Sequence, residues 1–135
     1  MIKIARLLQI IVGLAGLCAL VLGLLIWIAN SDLTDIHMLF GLLVTLGLLV
    51  MSIIALTAPG LRIWGMVGIV YAIILPIFGE SQSNVLVGNL HWLIQTLHTL
   101  VGIGAIVLTG ALGARYRTLK RGAARPESSS RALRL

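Results

Sequence analysis

Four runs of the chain, residues 7–29, 36–56, 63–78 and 85–114, contain no Asp, Glu, Lys or Arg. A bilayer offers no water to backbone N–H and C=O groups, so an apolar run that crosses it does so as a helix. Roughly 17–25 residues span a hydrocarbon core of about 30 Å. Each run meets or approaches that length, which predicts an all-α integral membrane four-helix bundle with helices over about 4–30, 34–57, 61–78 and 85–115. Composition leaves little room for a soluble class: 59% of the 135 residues are hydrophobic and only 10% are charged. One transmembrane domain over 1–121 is therefore expected, followed by a basic, flexible tail over 122–135 whose Arg, Ala, Ser and Pro have no core to join.

The connections are short. "TAPGLR" puts Pro59 and Gly60 at the centre of a tight turn, and "NSDLTD" offers Asp32, Thr34 or Asp35 as an N-cap for the second helix. Pro76 removes a backbone donor from the third helix, so a kink or an early stop is expected there. The single cysteine, Cys18, excludes an internal disulfide and reads as a small packing residue. The glycines Gly13, Gly16, Gly23, Gly65 and Gly68 predict close helix contacts.

Charge orients the bundle. Lys3, Arg6, Arg62, Arg115, Arg117, Lys120, Arg121, Arg125, Arg131 and Arg134 all fall on one side of a four-span topology, and Asp32, Asp35 and Glu80 on the other. The positive-inside rule then predicts N-in/C-in, with both termini in the cytoplasm and the chain in the cytoplasmic membrane of a bacterium or archaeon. The first helix is too long for a signal-peptide core and lacks a cleavage site before Asn30, so it is expected to stay as an anchor. The net charge of +6 is accounted for by lipid headgroups and topology, and no nucleic-acid partner is expected.

The stretch "HWLIQTLHTL", residues 91–100, interrupts this apolar pattern with His91, Gln95 and His98. At 3.6 residues per turn, His91, Gln95, His98 and Gly102 share one face of the fourth helix, and His37, Gly41, Thr45, Leu48 and Ser52 share one face of the second. Lipid satisfies neither an imidazole nor an amide, so both faces are expected to turn inward. Two histidines on facing helices, each with a glycine one turn away, suit a b-type haem: imidazoles for the iron, and Gly41 and Gly102 to admit the macrocycle. His37 is one expected ligand and His98 the other, with His91 as the alternative that counting depth from the cytoplasmic ends favours. Gln95 is a hydrogen-bond partner for a haem edge, a quinone oxygen or an imidazole.

The segments "IHMLFGLLVTLGLLVMSIIAL" and "LHTLVGIGAIVLTGAL" resemble the four-helix haem-binding membrane units of haem A synthase and cytochrome b-type proteins. There a histidine opens a helix near the outer face, and a leucine-rich run follows it to cytoplasmic basic residues. The resemblance implies haem b held by His37 and His98, with electron transfer, quinol-linked or not, or haem handling as the activity. Met38 stands where haem A synthases often carry a basic residue, and no outer loop with paired cysteines exists. A haem-modifying enzyme thus ranks third, behind a cofactor-free accessory subunit of a larger membrane complex. The other partners expected are the lipid bilayer, a quinone or redox partner, and a second copy of the chain. No outer Lys or Arg would meet haem propionates, which leaves Ser81, Ser83, Asn84 and Asn89. No phosphate loop, CxxC or HExxH motif points to other chemistry.

Overall fold

The computed structural model describes residues 2–123. Residues 124–135 of the expected tail lie outside them. The chain forms α1 (Ile2–Ala29), α2 (Thr34–Leu56), α3 (Arg62–Ser81), a 3₁₀ turn (Gln82–Asn84) and α4 (His91–Ala123). All four helices are long and apolar enough to cross a membrane. The molecule is an all-α four-helix bundle.

Helix ends follow local chemistry. Between α2 and α3 the Leu61 N–H donates to the Ala58 carbonyl at 3.0 Å, and Gly60 takes φ +87°, the left-handed third position of a tight turn. The start of α2 differs from expectation: Leu33 is its N-cap, and none of Asp32, Thr34 and Asp35 caps it with a side chain. Asn30, at φ +49°, turns the chain just beforehand. α3 passes through Pro76 and continues to Ser81. The missing N–H removes the bond that the Ala72 carbonyl would otherwise accept, and the helix tolerates that loss. α4 begins at His91, because Leu86 at φ +51° and Gly88 at φ +98° hold the preceding apolar segment out of helical geometry.

Neighbouring helices run antiparallel. Val12 of α1 packs on Gly47 of α2, and Gly23 lies beside His37. On the other side of α2, Gly65 of α3 sits where a Cβ would approach the Ser52 carbonyl to 2.8 Å, and Gly68 sits against the Ser52 side chain. Gly104 of α4 receives the Tyr71 hydroxyl, which donates to the Val101 carbonyl at 2.8 Å. α4 returns to α1 through Gly16, which makes room for Ile106, and through Gln9, whose Nε2 donates to the Gly110 carbonyl at 2.6 Å. α2 and α4 also touch across the diagonal, whereas α1 and α3 do not meet among the described residues. In lipid, small residues and interhelical hydrogen bonds of this kind do the work that the hydrophobic effect does in water.

The two ends of the bundle differ. Buried residues of α2 begin at Val44, those of α1 end at Gly16, and α4 buries none between Ile94 and Ala105. Ala5, Val12, Leu48, Met51, Ser52, Thr109, Leu112 and Tyr116 form a tight core in the half that carries Lys3, Arg6, Arg62 and Arg115. The half that carries Asp32, Asp35 and Glu80 is open. Cys18 is exposed on α1 and lies outside the buried core.

Candidate cofactor site

A cavity of about 790 Å³ fills the open half, within the roughly 300–1,000 Å³ range of small-molecule and cofactor sites. All four helices wall it, and His37, Gly41, His91, Gln95, His98 and Gly102 all line it. The His37 and His98 rings face each other with centroids 6.0 Å apart and planes tilted by 56°. His37, in the first turn of α2, thus meets His98, about two turns into α4. His91 stays at the mouth, where its Nδ1 lies 3.3 Å from the Val85 carbonyl.

Each central histidine is held from behind by a neighbouring helix. The His37 Nδ1 lies 2.9 Å from the Ala19 carbonyl of α1. A carbonyl only accepts, so Nδ1 carries the proton there, and in the neutral ring the Nε2 lone pair is left for another partner. Gly23, one turn further along α1, gives the ring its seat: a Cβ there would come within 3.1 Å of Cε1. His98 has a parallel arrangement in α3. Gly79 lies where a Cβ would approach its Cε1 to 3.3 Å, and the Phe78 ring stands 5.9 Å away at a 34° tilt. The His98 Nδ1 is buried without a hydrogen-bond partner.

The remaining wall decides what fits between the rings. A Cβ built on Gly41 or Gly102 would meet nothing within 4 Å, so both glycines face open space one turn below a histidine. Thr45 closes the floor, its hydroxyl turned back to the Gly41 carbonyl at 3.0 Å. At the rim stand Asp35, Glu80, Gln82 and Ser83, with no Lys or Arg. Of the hydroxyls and amides expected there, Ser83 lines the cavity, while Ser81, Asn84 and Asn89 do not. Gln82 takes a place that sequence reasoning missed, and its amide Oε1 is buried without a partner.

A single metal bound by both imidazoles at about 2 Å per bond sets the nitrogens about 4 Å apart and the ring centroids about 6 Å apart. The two ring centroids in this cavity lie at that separation. No group of three or more His, Cys, Asp or Glu side chains able to hold a metal ion occurs among the described residues. Comparisons with protein-family models, curated proteins and solved structures returned no match to this chain.

Proposed function

We propose that the chain is a membrane protein that holds one b-type haem between His37 and His98 and serves electron transfer, in the manner of the cytochrome b-type proteins it resembles. One observation carries the reading: two imidazoles face each other at 6.0 Å across a cavity built by all four helices. Haem bound there supplies one-electron redox chemistry at iron. The protein's own part is orientation. The Ala19 carbonyl fixes the tautomer and direction of His37, as outer hydrogen bonds to metal-bound histidines commonly do. Phe78 and Gly79 seat His98, while Gly41 and Gly102 keep the space beside each ring clear. The basic end of the bundle faces the cytoplasm by the positive-inside rule, which puts the cavity in the outer half of the membrane.

A cofactor-free subunit of a larger membrane complex is the competing reading, and the rim favours it. Asp35 and Glu80 stand where cationic partners for two propionates are wanted, leaving Gln82 and Ser83 as the uncharged donors. Oxidised and dithionite-reduced absorbance spectra of the detergent-purified protein, produced with haem supplied, separate the two. A sharp Soret band with resolved α and β bands, lost in His37→Ala and His98→Ala and kept in His91→Ala, is the expected result. A folded but colourless wild-type protein would refute the haem reading and favour the accessory subunit.

A further inference from the structure

A second concavity lies at the opposite end of the bundle, on the outside of α3 and α4. It holds about 260 Å³ and is lined by Trp64 of α3 and, on α4, by Gly104, Val107, Leu108, Ala111 and Arg115, with Leu112 beneath. The α4 residues recur three and four apart, so they form one helical face; the Tyr71 hydroxyl fills the space at Gly104, and the small side chain of the exposed Ala111 leaves the face hollow beside Trp64. From Gly104 to Arg115 the helix rises about 16 Å at ~1.5 Å per residue, about half of the roughly 30 Å hydrocarbon core. The groove is one leaflet deep and apolar along its length, with a cation at its end.

That cation has a fixed place and, among the described residues, no carboxylate at its end of the bundle to meet. The Arg115 guanidinium lies over the Trp64 ring, 5.3 Å from its centroid. Among the described residues the acidic side chains are Asp32, Asp35 and Glu80, all at the other end of the bundle. Arg62, at the start of α3, and Lys120 and Arg121, more than one turn beyond Arg115 on α4, add further positive charge at the same end of the bundle. An indole at the membrane interface, a stacked guanidinium and an apolar channel below them complement a molecule with an anionic head and a long hydrocarbon tail.

We propose that this groove is a binding site for one anionic phospholipid of the cytoplasmic leaflet, its phosphate on Arg115 and one acyl chain along Gly104–Ala111. The site is independent of the haem reading, since the two concavities share no histidine and lie in opposite halves of the bundle.

Trp64 reports on it directly. In the full-length chain with Trp27→Phe and Trp92→Phe, Trp64 is the remaining tryptophan, and its fluorescence is titrated with phosphatidylglycerol or phosphatidylcholine brominated on the acyl chains. Phosphatidylglycerol is expected to quench at about fivefold lower mole fraction than phosphatidylcholine, the effect of one well-placed cation. Arg115→Gln should remove that preference. Arg62→Gln, which changes a cation outside the groove, should leave it in place. Ala111→Leu, at an exposed position, should weaken quenching by both lipids without changing the helical circular dichroism. Equal quenching by the two lipids would overturn the proposal. So would a preference that survives Arg115→Gln, or one that Arg62→Gln removes to the same extent, because either result describes diffuse attraction to a charged surface.

Discussion

Filling the space beside each histidine tests the cavity without touching a ligand. Gly41→Leu and Gly102→Leu each add four carbons where a first carbon meets nothing within 4 Å, so the apoprotein has room for either. A macrocycle between His37 and His98 needs that room. Overpacking costs about 1–3 kcal/mol, and at about 1.4 kcal/mol per tenfold this weakens haem binding roughly 5- to 150-fold. The assay is haem titration of the purified apoprotein, followed by the growth of the Soret band, beside detergent unfolding of the same samples without haem. The expected pattern is a weaker apparent Kd in both variants with the apoprotein's unfolding midpoint unchanged. Wild-type haem affinity in both folded variants would refute the argument, because it would move the bound group away from the space between the two glycines.

Four positions elsewhere in the bundle carry further expectations. Gln9→Leu removes an interhelical hydrogen bond within the membrane and should destabilise the bundle by about 0.6–1.7 kcal/mol in a mixed-micelle unfolding titration. Gly113→Ala, whose Cβ would stand 2.5 Å from the Gln9 Cδ, should be destabilising alone and partly rescued when combined with Gln9→Ala. Gly65→Ala should cost about 1–3 kcal/mol in the same titration, since its Cβ would press to 2.8 Å on the Ser52 carbonyl, whereas Gly13→Ala meets nothing within 4 Å and should be neutral. Gly60→Ala forces a side chain into left-handed backbone at φ +87° and should cost about 1–2 kcal/mol, measured as a lower unfolding midpoint with unchanged helix content.

The four spans were legible because hydropathy over twenty residues is a strong signal, and the inward faces of α2 and α4 because helical periodicity groups His37 with Gly41 and His98 with Gly102. The segment 82–90 was not, since Val85, Leu86, Val87 and Leu90 read as membrane helix while their backbone turns at Leu86 and Gly88. Counting depth back from the basic residues favours His91, but such a count carries no information on how the helices are set against one another across the bundle, and there the His98 ring lies opposite His37. The groups that seat the histidines were silent for a different reason. Ala19 acts through a backbone carbonyl and Gly23 and Gly79 through the absence of a side chain, and neither leaves a chemical mark in sequence. Gln9 did leave one: it is the single amide in the first apolar run, and an amide in lipid calls for a partner.

The placement of the two histidines has a consequence for how the bundle holds together. His37 is backed by α1 and His98 by α3, so each belongs to a separate hairpin, α1–α2 or α3–α4, seated on a glycine of its own partner helix. At the basic end the hairpins interlock through Ser52 with Gly65 and Gly68, and through Gln9 with Gly110. At the acidic end little protein packing joins them, and the cavity lies between. A ligand that engages both imidazoles therefore ties hairpin to hairpin where the chain's own contacts are weakest. Binding and folding are then linked: ligand at 100 times its Kd stabilises the bundle by about 2.7 kcal/mol, a gain that either histidine alone is unable to provide. Loss of His37 or of His98 should thus erase the same ligand-dependent rise in unfolding midpoint, and the two losses together should cost no more than one.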